Sequence, residues 1–236
     1  MEAIDPSTHA NYIKAIADIT RAITTEQPVD TLLNRIVMTA ARLMDYEICS
    51  LWLVDNDATP RVIRLQATQA VDPDYARPRT MGRVEGVAGF VATHNQILRI
   101  HDVLKEPRFK EKALAGKLGL ASMLSVPIRV GDDEVIGVLD VFTNRPHEFS
   151  DAEVHMVSAV ANLAAVAIRG AKLRDETRSV REELETRKLV ERAKEILVRR
   201  RGLDAHEAFR WIQKRSMDSR KTMRQIAEAV LISEDV

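Results

Sequence analysis

Eight residues near the C-terminal end have the types that grip a polyanion. Lys188, Arg192, Lys194, Arg215, Arg220, Lys221 and Arg224 supply cations, and Trp211 supplies a flat π surface. Between Arg187 and Arg224, thirteen Lys or Arg stand against five acids, a net of +8. The chain of 236 residues is neutral overall, with 35 basic and 35 acidic side chains, so this charge is locally concentrated. Residues 1–184 carry 22 basic and 26 acidic groups, whereas residues 185–236 carry 13 and 9. The asymmetry assigns a polyanionic partner to the tail, or describes a solvated helical bundle with surplus arginine. Trp211 fits two roles as well, a base-stacking platform or core filler on a helix.

Other chemistry is poorly provided for. His94 and His101 lie seven apart with Asp102 adjacent, and His147 precedes Glu148, yet none has the helical i, i+4 spacing or cysteine companion of a zinc site. Ser50, Ser122 and Ser125 lack a G-x-S-x-G context, and the glycines from Gly82 to Gly89 lack a phosphate-loop lysine. The pattern argues against an enzyme and identifies no metal or cofactor. The one cysteine, Cys49, reads as a small buried hydrophobe, excludes an intrachain disulfide and fits a reducing cytoplasm. No basic start leads into an apolar segment, and no apolar run approaches the ~18 residues that span a bilayer, so neither a secretory signal nor a membrane is expected.

The tail must hold its cations on helices. Leu189, Ala193, Ile196 and Leu197 form a helical stripe that stops at Arg199-Arg200-Arg201-Gly202. Asp204 with Glu207 reads as a capping box that opens a second helix, with Ala208, Phe209 and Ile212 as its inner face. Thr222 with Gln225 repeats the signal before Ile226, Ala227 and Val230. Upstream, apolar spacing predicts a helix from about Asn11 with Ile13, Ile16, Ala17, Ile19 and Ile23 inside. A second begins after Pro28, with Leu32, Leu33, Ile36, Val37, Ala40 and Leu43 inside. Strands are predicted at Ile48–Val54 and Val62–Thr68, an extended stretch at Ile97–Val103, and a hairpin from Ser122–Val130 and Val135–Phe142 around Gly131-Asp132-Asp133. Pro127 marks an edge or a bulge. Ser150 with Glu153 caps a helix from Asp151. From it, Met156, Ala159, Leu163, Val166, Gly170, Leu173, Thr177, Val180 and Leu184 continue at 3-4 spacing. That is a seam for a parallel homodimeric coiled coil, or one amphipathic helix packed on its own sheet.

Two resemblances follow. The first 170 residues resemble a GAF domain, through Glu85-Gly86-Val87-Ala88-Gly89, Ile100-His101-Asp102-Val103, Pro107-Arg108-Phe109, Ser122 to Pro127, Ile136-Gly137-Val138-Leu139, Phe149-Ser150 and Ala161-Asn162 in the family's order. From about Leu184 onward the chain resembles an ANTAR domain, through Leu184, Arg187, Ala193-Lys194, Ile196-Leu197, Ala208, a Ser216-Met217-Asp218 turn and Ala227 before Val230. It departs from that pattern at Glu195, where glycine is usual, and at Gln213, where arginine is frequent.

The resemblances imply an α+β fold: a GAF-type antiparallel sheet flanked by helices, joined by a long coiled-coil helix to an all-α three-helix ANTAR unit. Expected limits are 1–170 for the sensor, 150–190 for the overlapping signalling helix and 180–236 for the RNA-binding unit. They also imply transcription antitermination, with hairpin loops of nascent mRNA bound by Lys188, Arg192, Lys194, Trp211, Arg215, Arg220, Lys221 and Arg224; Lys194 and Arg215 rank first. An unknown small molecule in the sensor half would meet Trp52, Val84, Phe90, Ile100, Asp102 and Phe109, each of which also suits plain core. The cyclic-nucleotide signature of some relatives is missing, as is the bilin-binding cysteine. A helix-turn-helix-like DNA-binding regulator and a dimeric sensor with a protein partner are the alternatives.

Overall fold

The computed structural model describes residues 6–25, 27–131 and 134–233. They fall into two compact units, Met1–Ala171 and Lys172–Val236. In the first, helices α1 (Pro6–Ile23) and α2 (Val29–Met44) precede β1 (Ile48–Asp55) and β2 (Val62–Thr68). A short helix α3 (Pro73–Ala76), strand β3 (Thr80–Gly82), helix α4 (Gly86–His94), strand β4 (Leu98–Ile100) and helix α5 (Lys112–Leu118) follow. Strands β5 (Ser122–Val130) and β6 (Glu134–Thr143) complete one six-stranded sheet of order β3-β2-β1-β6-β5-β4, antiparallel throughout.

Both sheet faces are buried, which explains why the central strands read as nearly unbroken apolar runs. One face carries Cys49, Leu51, Leu124, Val126, Leu139 and Val141 against α1, α2 and the start of a long helix. The other carries Ile48, Trp52, Met123, Val138 and Phe142 against α4 and α5. Pro127 pairs with Val138 beyond the reach of β4, so its missing N–H costs no ladder bond, and a bulge follows between Ile128 and Arg129. Gly137 of β6 lies against β1: a Cβ there would collide with the Trp52 carbonyl oxygen. Gly137→Ala should therefore cost about 2 kcal/mol, read as a lower urea midpoint at unchanged slope.

Several boundaries differ from expectation. Helix α1 begins at Pro6 rather than near Asn11. Its buried positions are Tyr12, Ala15, Ile19 and Ala22, while Ile13 is 70% exposed and Ala17 faces solvent. Leu32, Leu33, Ile36, Val37 and Ala40 of α2 are buried as expected; the side chain of Leu43 lies outside the described residues, as do Asp132 and Asp133 of the hairpin turn. The extended stretch after Ile97 is only the three residues of β4.

Helix α6 (Asp151–Arg201) starts from the Ser150–Glu153 capping box and runs for 51 residues. Val154, Val157, Val160, Ala161, Ala164 and Ala167 pack on the sheet. Contrary to the hydropathy expectation, an 18-residue stretch of α6 reaches a mean hydropathy of 1.4, as apolar as a membrane span, with 39% of it buried. In the second unit α6 packs with α7 (Ala205–Ser219) and α8 (Met223–Ile232) around Val190, Ala193, Ile196, Leu197, Ala208, Ile212, Ile226, Ala227 and Val230. Both expected capping boxes form, Asp204 with Glu207 and Thr222 with Gln225. Phe209, expected inside, is 36% exposed, and Trp211 packs against the core instead. The Ser216–Asp218 segment is helical; α7 ends at Arg220, in the left-handed conformation at φ 54°.

Candidate functional site

The C-terminal cations gather where three helices meet. The last turn of α6 contributes Arg200 and Arg201, α7 contributes Trp211, Arg215 and Ser219, and the loop before α8 contributes Lys221. Together they line a groove of about 400 Å³ floored by Ile196, Leu197, Ile226 and Val230. Arg201 lies over the Trp211 ring at 4.7 Å, so the indole orients a guanidinium. Arg200 Nη1 donates to the Ser233 carbonyl at 2.6 Å, which also fixes its direction. Arg215 and Lys221 make no ion pair with a described acid. The groove thus presents four cations, two of them pre-oriented, beside a half-buried aromatic ring. Such a surface accepts phosphates.

Of the expected contact residues, Trp211, Arg215 and Lys221 come together in this groove. Lys188 and Arg192 are exposed one turn apart on α6, off its buried stripe. Lys194 pairs with Glu191 at 2.9 Å and its side chain is only 18% exposed. Arg224 is held by Glu228 at 2.9 Å and Glu185 at 3.6 Å. Arg220 is the exposed C-cap of α7. Sequence reasoning missed Arg200 and Arg201, reading them as helix-stop charges; their i, i+4 and i, i+5 offsets from Ile196 already set them beside the buried stripe.

The sensor half holds a small cavity of about 30 Å³ between the sheet and α4 and α5. Trp52 and Phe109 line it, with Tyr75, Met81, Val87, Met123, Phe142 and Asp140. Four other expected lining residues are placed elsewhere. Val84 is 77% exposed, and Ile100 is packed in the core. Phe90 stacks on His94 and under Arg108, and Asp102 caps the turn at Leu104 and Lys105. Asp140 was not anticipated. It sits on β6 between Ser50 of β1 and Ser125 of β5, a polar row across the three central strands. Ser125 Oγ donates to it at 2.6 Å. Burial pushes its carboxyl up to about 7, an effect the Ser125 hydroxyl and the nearby Trp52 indole only partly offset. The indole is near enough to favour the anion, yet Trp52 Nε1 has no hydrogen-bond partner within normal geometry. Ser50 Oγ and the Tyr75 hydroxyl share a hydrogen bond at 2.9 Å. Among the described residues no group of three or more His, Cys, Asp or Glu could hold a metal.

Comparison with known proteins agrees with both halves. The GAF domain model matches residues 28–168 and the ANTAR domain model matches residues 178–231. The chain is 40% identical over 87 residues to the transcriptional regulatory protein PdtaR of Mycobacterium tuberculosis strain H37Rv, a match covering 37% of this chain and 40% of that protein. It thus spans less than half of that relative. The GAF domain of a phosphoenolpyruvate-protein phosphotransferase from Coxiella burnetii superposes with a TM-score of 0.63 at 20% identity, covering 73% of this chain and 99% of that one. The free methionine-R-sulfoxide reductase of Neisseria meningitidis superposes with a TM-score of 0.60 at 18% identity, over 74% and 96% of the respective chains. The fold therefore occurs both in a domain of a phosphotransferase and in a reductase, and at these identities the likeness speaks for the fold alone. Matched over more than half its length, the chain belongs to the GAF-domain family and carries an ANTAR domain behind the GAF domain.

Proposed function

We propose that this chain is a signal-responsive, RNA-binding transcription antiterminator. The carrying observation is the four-cation groove on a domain that matches ANTAR. Loops of a hairpin expose unstacked bases and bring phosphates close together, which suits a compact basic groove better than a long groove-reading helix. Holding the hairpin opposes the competing terminator stem, so polymerase reads on. No covalent step is needed; a signal acts by differential binding to two conformations.

The same proposal includes a parallel homodimer. Val166, Leu173, Val180 and Leu184 are 52–65% exposed at spacings of seven, seven and four on α6, an apolar stripe left uncovered by the described residues of one chain. A second copy in register supplies that cover and would bring two RNA-binding units to paired hairpins. Leu173→Glu with Val180→Glu is expected to convert a dimer to a monomer in sedimentation; an unchanged dimer would move the interface elsewhere.

The deciding experiment is a gel-shift titration at two salt concentrations, using a paired-hairpin leader RNA, its loop-scrambled version and duplex DNA of equal length. At least tenfold preference for the intact loops, weakened by salt, is expected. Equal binding to all three leaves only a basic surface, and preference for duplex DNA replaces this reading with a DNA-binding regulator.

A further inference from the structure

The GAF cavity is built with a sign. Two acids line it, Asp140 and Glu111, together with one base, Lys110. Glu111 is already paired with Arg79. Lys110 is exposed, so its aliphatic stem borders the cavity while its charge can reach solvent. Asp140 is 3% exposed, and no basic side chain is among the groups that act on its ionisation. It is a buried acid without a countercharge, an arrangement that costs free energy whenever it ionises.

Around it stand four aromatic side chains, Trp52, Tyr75, Phe109 and Phe142. Phe142 meets Tyr75 edge-on at 6.4 Å and Phe109 at 6.1 Å, which holds their orientation. Two of the four already attract a cation: the Arg79 guanidinium lies 4.6 Å from the Tyr75 ring centre and 5.5 Å from that of Trp52. Arg79 is not among the residues lining the cavity; its Nη1 pairs with Glu111 while its buried Nε and Nη2 have no hydrogen-bond partner, so Glu111 matches its charge and Asp140 remains the acid without a base. A carboxylate between aromatic faces is how proteins recognise organic ammonium groups.

We propose that this cavity binds a small protonated amine, its ammonium on the Asp140 carboxylate and its carbon against the Trp52, Tyr75, Phe109 and Phe142 rings. The site deepens the sensor reading given above and rests on it. Size sets the guest. A cavity of about 30 Å³ holds roughly two waters, which matches the two heavy atoms of methylammonium; ethylammonium, with one more, requires the rings to shift. The other titratable groups near Asp140 are Cys49 and Tyr75, and burial raises the pKa of both, keeping them neutral. Besides Glu111, which is paired with Arg79, and Lys110, which is exposed, a bound ammonium therefore meets one carboxylate without a countercharge, that of Asp140.

The test is calorimetric titration of the full-length protein with methylammonium and ethylammonium chloride, with sodium acetate and ethanol as size-matched controls, at pH 6 and pH 8. Saturable binding of the amines and not of the controls is expected. Because Asp140 titrates at about 7, the anion is the minor form at pH 6 and the major form at pH 8, so affinity should be about tenfold weaker at pH 6. Asp140→Asn should abolish amine binding and Phe109→Leu should weaken it severalfold. If the Asp140 variant fails to fold, the pH series on the natural protein decides. No saturable amine binding, tighter acetate binding, or pH-independent affinity overturns the proposal. A parallel gel shift with and without methylammonium separates the two ideas. Amine binding that leaves RNA affinity unmoved keeps the site and sinks the sensor reading; a protein that binds no amine yet prefers the RNA loops keeps antitermination and sinks the site.

Discussion

Replacing Arg201 and Arg215 together by alanine should lower affinity for a hairpin-loop RNA about a hundredfold near 0.1 M salt. It should also flatten the slope of log Kd against log salt by roughly 1.4. Both side chains line the groove, and neither owes its position to an acid: Arg201 lies on Trp211, and Arg215 is unpaired among the described residues. A cation held by an aromatic ring retains its full charge for a phosphate, unlike one already neutralised. Lys194 is the contrast. Its ammonium is matched by Glu191 and mostly covered, so Lys194→Ala should change affinity at most about threefold. A control pair off the groove, Lys188→Ala with Arg192→Ala, should behave like Lys194→Ala. Equal losses from both pairs would mean that RNA feels only net charge, and the groove would have no special part.

Ile212→Ala should unfold the C-terminal unit and leave the N-terminal one standing. Ile212 is fully buried where α6, α7 and α8 meet. Truncating such a side chain costs about 2–5 kcal/mol. At ~0.1 kcal/mol per residue, a helical unit of this size has roughly that much stability in total. Loss of helix ellipticity with the N-terminal melting transition intact is the expected result, and RNA binding should disappear with it. A single transition lowered as a whole would mean that the units unfold together.

Much of this architecture was readable from the residues, for reasons that differ by element. Capping boxes were secure because their donors and acceptors lie three residues apart; Asp204 with Glu207 and Thr222 with Gln225 both form. Which face of a helix turns inward is harder. In α1 the isoleucine spacing pointed to Ile13, but Tyr12 and Ala15 are the buried pair. In α7 the same difficulty exchanged Phe209 for Trp211, because either aromatic lies within one step of Ala208 and Ile212. The cavity was least legible. Its polar centre depends on the register that sets Asp140 beside Ser50 and Ser125, and register comes from tertiary pairing. One signal was present: a lone aspartate inside the apolar strand VIGVLDVFT, where an acid has no solvent to face. Asp102 belongs to a motif of the family, and Val84 and Phe90 flank another, but such segments can serve loop and turn geometry without touching a cavity.

The single cysteine has a practical consequence. Cys49 is fully buried on β1 and its thiol is held above its ordinary pKa by burial, so it forms little thiolate for a labelling reagent. A second cysteine placed on an exposed position off the apolar stripe, such as Asp175→Cys on α6, would then react alone in the natural background. Paired nitroxide labels there would report the separation between copies by dipolar spectroscopy, with and without a guest in the cavity, with no need to remove a native thiol.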